Sequence, residues 1–172
     1  DAINKIRDTV TSHQRANVIE VMGRGRGDIA LYTGVAGGAE HIIIPEVSFE
    51  INDLCKRLIQ GKDRGKRSHI IMLAESMFNV NDLCDQIEEK TGIETRATVL
   101  GHIQRGGSPT VADRVLASRM GYHAVNLLKE GIGNRVVCIR DNQIVDCDIE
   151  EGLAMEKGFD QDMYEMSKVL SI

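Results

Sequence analysis

The chain has 172 residues, enough for one domain with a hydrophobic core of its own. With 42% hydrophobic and 27% charged residues, its composition is typical of an ordered globular protein. A formal net charge of -5 argues against nucleic acid or an anionic membrane as a partner. The sequence has no membrane-length apolar run, no signal-peptide pattern and no CxxC pair, so we expect reduced thiols and a cytoplasmic location.

Apolar residues recur at helical spacing from the first residues, at Ala2, Ile3, Ile6 and Val10. We therefore expect the chain to open inside a helix. Because no start signal precedes that helix, we also expect the chain to be a piece of a longer protein.

Short apolar or β-branched runs predict strands over residues 18–22, 41–44, 70–74 and 96–100. Helical spacing follows each of them. Further along, Asp141 and Asn142 separate two short apolar runs and predict a hairpin, and residues 149–172 are expected to be mainly helical. This alternation predicts an α/β fold. It is Rossmann-like and three-layered, with a mostly parallel sheet, helices on both faces and a C-terminal hairpin segment.

The first strand is followed by the glycine-rich segment Gly-Arg-Gly-Arg-Gly-Asp at residues 23–28. A strand, a glycine-rich loop and a helix together present backbone N–H groups to phosphate. The glycine order differs from the dinucleotide fingerprint, which argues against a redox enzyme. Arginines suit a phosphoryl group, although we interpret Arg26 as part of an exposed turn.

A second polar segment follows the strand at residues 96–100. His102, Gln104 and Arg105 offer side-chain donors there, and the N–H groups of Gly106 and Gly107 can approach a ligand closely. The chemistry alone leaves two alternatives open, an anion site or a solvent-exposed turn. Glu75, at the end of another predicted strand, either orients a sugar hydroxyl or is only a helix-capping or surface residue.

The run ATVLGHIQRGGSP at residues 97–109 resembles a signature of the 6-phosphofructokinases. Other matching stretches extend the likeness over essentially the whole chain: Ser12 to Arg15, Val21 to Arg24, Ala36 to Glu40, Ile44 to Glu46, Ala74-Glu75 and Ala117 to Gly121. In this order they resemble the carboxyl-terminal half of a bacterial ATP-dependent 6-phosphofructokinase.

The resemblance implies a set of residues that bind fructose 6-phosphate. These are Arg15, Met22, Gly23, Arg24, Glu75, Arg96, His102, Ile103, Gln104 and Arg105. Within this set, Arg15 and Arg96 match arginines that reach the sugar phosphate of a neighbouring subunit. Arg24 matches the catalytic arginine nearest the transferring phosphoryl group, and Glu75 would accept hydrogen bonds from sugar hydroxyls.

The resemblance also implies an effector site for ADP or phosphoenolpyruvate. Its residues are Arg7, Gly38, Glu40, Arg64 and Lys66, with Glu40 placed in relation to Mg²⁺. Family members often have a histidine at the position of Ser68, whereas this chain has His69 one residue later. One step along a strand reverses the face of a side chain, so we expect His69 to turn away from the position that such a histidine occupies.

The resemblance divides the chain into two parts. Residues 1–103 and 153–172 would form the sugar-phosphate and effector domain, and residues 104–152 would return to a nucleotide-binding domain whose other part is missing. The ATP site and the catalytic base would then lie in a missing N-terminal half, so we expect this chain alone to be inactive.

The activity implied is transfer of the ATP γ-phosphoryl group to fructose 6-phosphate in glycolysis, with Mg²⁺, by a homotetramer. Two alternatives stay open. One is a pyrophosphate-dependent phosphofructokinase, and the other is a non-catalytic phosphosugar-binding regulatory module.

Overall fold

The structure, a computed structural model, describes residues 1–171. Within that range the elements, in chain order, are α1 (Ala2–His13), β1 (Ala16–Val21), α2 (Asp28–Gly37), β2 (His41–Ile43), α3 (Ile51–Asp63), β3 (His69–Ala74), α4 (Val80–Thr91), β4 (Thr95–Val99), a 3-10 helix (Gly101–Arg105), α5 (Val111–Lys129), β5 (Arg135–Arg140), β6 (Gln143–Asp148), α6 (Ile149–Ala154) and α7 (Gln161–Leu170). None of these helices combines the length and hydrophobicity needed to cross a membrane.

The chain divides into two compact units. The first unit comprises Asp1–Gly106 together with the residues from Phe159 onward, and the second comprises Gly107–Gly158. The assignment of the second segment to a nucleotide-binding domain stays a prediction.

In the first unit, β1 to β4 form one parallel sheet in the order β2-β3-β1-β4. The central strand β1 pairs on both sides, with Val18 opposite Ile71 of β3 and Ala97 of β4. All six residues of β3 are buried, as expected of a parallel strand covered on both faces. The predicted α/β, Rossmann-like fold class is confirmed.

Two hydrophobic clusters fill the space above and below this sheet. On one face, Leu54 and Leu58 of α3 and Ile87 of α4 are fully buried against the strands. On the other face, Leu31 of α2 and Tyr164 of α7 pack on the sheet, with part of α1 beside them. Helices therefore cover both faces and make three layers, which leaves the two edges at the strand ends open to form sites.

The second unit consists of α5, the β5–β6 hairpin and α6. The helix α5 begins with a capping box, in which Thr110 and Asp113 each accept a hydrogen bond from the other's backbone. The hairpin turns at Asp141 and Asn142, whose φ angles of 50° and 61° lie in the left-handed region that Asp and Asn tolerate. The predicted hairpin is confirmed.

The polar segment after β4 differs from its prediction. The sequence predicted a loop from Gly101 onward, but Gly101–Arg105 forms a short 3-10 helix. Tight 3-10 turns are common connectors between larger elements, and the φ of 51° at Gly101 lets the chain leave the strand and coil at once.

Candidate functional site

Three connections meet at the carboxyl edge of the sheet. They follow β1 at Met22, β3 at Glu75 and β4 at Leu100, and backbone bonds continue the strand pairing into them. The N–H of Glu75 donates to the carbonyl of Val21 at 2.8 Å, and the N–H of Leu100 donates to the carbonyl of Glu20 at 3.1 Å. Ligands of open α/β sheets bind at this edge, because the loops there converge.

The carboxylate of Glu75 organises the first of these loops. Its Oε1 accepts hydrogen bonds from the N–H of Gly23 at 2.9 Å and from the N–H of Arg24 at 2.7 Å. These two bonds, helped by the nearby charges of Arg105 and Arg24, lower the pKa of Glu75 below its ordinary value. Glu75 is therefore held as an anion that fixes the backbone beside Arg24. It does not cap the following helix α4, which begins instead with the side chain of Asn79 as its cap.

The loop takes a backbone shape that few sequences allow. Arg24 has a φ of 48° and Gly25 a φ of 76°, so two consecutive residues are left-handed. A side chain at Gly23 would not fit, because its Cβ would lie 2.1 Å from the carbonyl oxygen of Arg26. In this conformation the Arg24 side chain stays exposed while the N–H groups of Gly23 and Arg24 are held by Glu75.

Gln104 ties the third connection to the first. Its side-chain oxygen accepts from the N–H of Met22 at 3.3 Å, and its side-chain nitrogen donates to the carbonyl of Gly101 at 3.2 Å. The remaining predicted residues of the 3-10 helix, His102, Ile103 and Arg105, are exposed. The structure thus brings Met22 to Arg24, Glu75 and the His102 to Arg105 segment to one edge.

Arg15 and Arg96 lie apart from this group, at the amino ends of β1 and β4. One oxygen of Glu94 contacts both of them, Arg15 Nη1 at 3.5 Å and Arg96 Nη2 at 2.8 Å. The two guanidinium groups hold the pKa of Glu94 below its ordinary value, with the hydrogen bond from Arg96 as the largest cause. Glu94 was missed by the sequence reasoning, because its role depends on the pairing of β1 with β4.

The predicted effector residues Glu40, Arg64 and Lys66 line one cleft of about 580 Å³ at the amino edge. Lys66 Nζ lies 3.0 Å from Glu40 Oε1, and the other oxygen of Glu40 accepts from the N–H of Ile70. The lining residues are Glu40, Arg57, Gln60, Gly61, Arg64, Gly65, Lys66, His69, Lys168 and Ser171. Four of these side chains are cationic and one is a carboxylate, so the cleft favours an anion despite the negative charge of the whole chain.

Arg7 and Gly38 are not in the lining of this cleft, but they contact each other beside it. The guanidinium of Arg7 donates to the carbonyl oxygens of Gly37 and Gly38, the second at 3.0 Å. Gly38 ends α2 with a left-handed φ of 61°, and a Cβ there would lie 3.3 Å from Arg7. Arg7 therefore fixes the turn that leads to Glu40.

Glu40 is the one residue that was predicted to contact a metal ion. Among residues 1–171, no group of three or more His, Cys, Asp or Glu side chains could hold a metal ion. A single carboxylate nevertheless fits Mg²⁺ that is bound mainly by ligand phosphates and water. Glu40 is the residue that would hold such an ion.

His69 lies in the wall of the cleft. It begins β3, is only 3% exposed, and its side chain forms part of the cleft wall. Burial is the largest cause that lowers its pKa below the ordinary value. Ser68 points instead toward α1, where its hydroxyl accepts from Thr11 at 3.3 Å. Ser68 and His69 therefore face opposite ways, as one step along a strand predicts, and His69 is the one of the two that lines the cleft.

Arg57, Lys168 and Ser171 were also missed. Arg57 lies on α3 and the other two at the end of α7, more than a hundred residues away, so no local sequence pattern joins them to Lys66. Only the packing of both helices beside the sheet brings their side chains to the same cleft.

A parallel α/β sheet with an arginine-bearing loop at one edge and a cationic cleft at the other is an arrangement suited to phosphorylated small molecules. The sequence comparisons identify its family. The family profile described as "Phosphofructokinase" matches residues 1–128. The chain belongs to the phosphofructokinase family.

Two similar relatives are bacterial proteins named ATP-dependent 6-phosphofructokinase. The protein of Alkaliphilus metalliredigens (strain QYMF) is 64% identical over 172 residues, which cover 100% of this chain and 54% of the relative. The protein of Clostridium botulinum (strain Loch Maree / Type A3) is 60% identical over 171 residues, 99% of this chain and 54% of the relative. The chain thus spans about half the length of these relatives.

Solved structures agree with this assignment. The phosphofructokinase of Saccharomyces cerevisiae superposes with a TM-score of 0.81 and 34% identity, covering 88% of this chain and 22% of that one. The pyrophosphate-dependent phosphofructokinase of Marinobacter aquaeolei gives a TM-score of 0.79 over 98% of this chain and 52% of that one. At 21% identity, this second likeness shows the shared fold alone.

Proposed function

We propose that the chain is the substrate-binding half of a 6-phosphofructokinase that transfers the ATP γ-phosphoryl group to fructose 6-phosphate, giving fructose 1,6-bisphosphate. The observation that carries the proposal is the Glu75 carboxylate, which holds the N–H groups of Gly23 and Arg24 at 2.9 and 2.7 Å. It fixes an exposed arginine at the ligand-binding edge of the sheet.

Phosphoryl transfer depends mostly on positioning and on stabilising charge. Arg24 is the residue proposed to stabilise the transferring phosphoryl group, because its loop is locked and its guanidinium is exposed. His102 and Arg105 are proposed to hold the sugar phosphate in register. Glu75 keeps a second oxygen for the sugar hydroxyls, and Gln104 keeps the 3-10 helix beside Met22.

ATP and the catalytic base are assigned to an N-terminal half outside this chain, to which residues 104–152 would return. Mg²⁺ would accompany the nucleotide. The relatives at 60% and 64% identity are named ATP-dependent, and this supports ATP over pyrophosphate as the donor. The proposed setting is glycolysis in the cytoplasm.

Arg15 and Arg96 are proposed to serve the sugar phosphate bound by a neighbouring copy in a homotetramer. Glu94 holds their guanidinium groups close together at the amino edge, which makes a two-arginine surface suited to a dianion.

The cleft lined by Glu40, Arg64 and Lys66 is the proposed effector site. Its excess of cations supports ADP or phosphoenolpyruvate as the ligand. Glu40 would hold Mg²⁺ together with the phosphates of ADP.

The test compares two variants of the full-length polypeptide, Arg24→Lys and Arg26→Lys. Arg26→Lys is the control, because Arg26 lies in the same loop but pairs with Asp28 at 3.2 Å. An ammonium cannot reproduce the planar guanidinium, so Arg24→Lys should lower kcat with fructose 6-phosphate by about a hundredfold while Arg26→Lys stays near the parent. Equal effects of the two changes would contradict the role of Arg24. Turnover with ATP and not with pyrophosphate is expected, and the 172-residue chain alone should show none.

A further inference from the structure

The loop after β1 is held near both of its ends by carboxylates from other connections. Glu75, which follows β3, accepts from the N–H groups of Gly23 and Arg24 at 2.9 and 2.7 Å. At the far end of the loop, the N–H of Gly27 donates to both carboxylate oxygens of Glu46, at 3.0 Å to Oε1 and at 3.1 Å to Oε2. Glu46 lies in the connection between β2 and α3, so two different strand ends fix one loop.

Between these two carboxylates the chain makes a tight turn. The N–H of Arg26 donates to the carbonyl of Gly23 at 3.1 Å. The two residues between them, Arg24 and Gly25, are both left-handed, as the central residues of a type I′ turn are. A turn closed by its own hydrogen bond moves mainly as a unit. The place of the Arg24 side chain therefore depends on where the two ends of the turn are held.

Gly27 and Glu46 are fitted closely to each other. Gly27 is buried, so its N–H needs a hydrogen-bond partner within the protein. A Cβ at Gly27 would lie 2.3 Å from Cγ2 of Ile44 and 2.7 Å from Oε2 of Glu46, so only glycine lets the carboxylate come this near. Removal of the carboxylate would leave the N–H of Gly27 unpaired and release the end of the turn.

We infer that Glu46 is a positioning residue of the phosphoryl-transfer site, which acts through the N–H of Gly27 to fix the place of the Arg24 guanidinium. The inference rests on the proposed function, because that function assigns Arg24 to the transferring phosphoryl group. Glu75 fixes the first half of the turn, and Glu46 fixes the residue directly after the turn. With one end released, the turn would swing about Gly23, and Arg24 would spend only part of its time in the catalytic position.

The experiment measures kcat and KM for fructose 6-phosphate, with ATP, in the full-length polypeptide. A misplacement of about 1 Å costs about a hundredfold in rate, and Glu75 still holds the other end, so Glu46→Ala should lower kcat about tenfold. KM should change less than kcat, because Arg24 is assigned to the group that is transferred. These outcomes define a loss of positioning.

Two further variants show that the contact with Gly27 is what matters. Glu46→Gln keeps a side-chain oxygen that can accept from the N–H of Gly27, so its kcat should stay close to that of the parent. Glu50→Ala is the matched control, because it removes an exposed carboxylate from the same connection, one that caps no N–H of α3. It should leave kcat and KM unchanged.

A double-mutant cycle with Arg24→Lys separates positioning from simple support of the fold. A residue that acts through Arg24 loses its effect once Arg24 is changed, so Glu46→Ala should lower kcat by less than about twofold in the Arg24→Lys background. An equal loss in both backgrounds would overturn the inference. Parental kcat in Glu46→Ala, or a loss in Glu46→Gln as large as in Glu46→Ala, would overturn it as well.

Urea unfolding of each variant establishes that it is folded under the assay conditions. If Glu46→Ala does not fold, Glu46→Asp takes its place, because it keeps the charge but shortens the side chain by one methylene group and draws the carboxylate away from Gly27. The same loss of kcat is then expected, and parental kcat would again overturn the inference.

The proposed function fails by a different result. A parent that does not turn over fructose 6-phosphate, or an Arg24→Lys variant with parental kcat, would contradict the proposed function and the inference together. If Arg24→Lys lowers kcat as proposed while Glu46→Ala does not, the proposed function stands and only the inference about Glu46 fails.

Discussion

Substitution of Gly23 by alanine tests how tightly the loop after β1 packs against itself at the carboxyl edge of the sheet. The new Cβ would lie 2.1 Å from the carbonyl oxygen of Arg26, where real contacts are essentially never below 3.0 Å. The loop must therefore shift by roughly 1 Å, and if it serves phosphoryl transfer as proposed, a displacement of this size should cost about a hundredfold in rate. The same overlap should lower the free energy of unfolding by about 1–3 kcal/mol.

The assay is kcat/KM for fructose 6-phosphate in the full-length polypeptide, with urea unfolding of each variant alongside. Gly133→Ala is the matched control, because a Cβ at Gly133 meets nothing within 4 Å and the residue has no positive φ. The control should keep both activity and stability. If Gly23→Ala retained parental kcat/KM, the backbone fixed by Glu75 would not position the reacting groups.

Three further predictions concern stability. The pKa of Glu75 is lowered in the folded state, so its stabilising effect is complete above pH 4.5, the ordinary pKa of a glutamate, and is lost as pH falls through the folded-state pKa. In urea unfolding, the stability difference between the parent and Glu75→Gln should therefore shrink below pH 4.5. Asp146→Asn removes the charge that pairs with His123 at 2.8 Å and with Arg135 at 2.6 Å. Hydrogen exchange of the backbone amides in the hairpin should therefore accelerate. The control Asp141→Asn, at the turn, should leave the exchange rates unchanged. Leu54→Ala in the core should cost about 2–5 kcal/mol by urea unfolding, and the 80% exposed Leu153 should cost almost nothing on the same change.

The strands β1 and β3 were predictable because each is a short, mostly apolar run buried on both faces. Residues 70–74 contain only apolar side chains, and the strand found there begins one residue earlier, at His69. That first residue of the strand is also the one that lines the cleft. The sequence predicts that Ser68 and His69 face opposite ways, but it does not say which of the two faces the cleft.

The residues of the carboxyl edge were named from a resemblance, and the structure adds what holds them. Nothing local in the sequence predicts that Glu75 accepts from the N–H groups of Gly23 and Arg24, because about fifty residues separate the partners. The same holds for Glu94 with Arg15. Such contacts follow from strand order, and strand order is a property of the packed sheet and not of any single segment.

The positions of the arginines along β1 limit how many copies a complete site requires. Arg15 precedes the strand and Arg24 lies beyond its other end, so the six residues Ala16–Val21 separate them by about 20 Å at the usual rise of a strand. Arg15 is held at its own end of the strand by Glu94, so we propose that the two arginines of one chain act on different sugar phosphates. If both act on the sugar phosphate, as proposed, Arg15 must act on a ligand bound by another copy. Dilution to monomers should then weaken fructose 6-phosphate binding even when the carboxyl edge of each copy is intact.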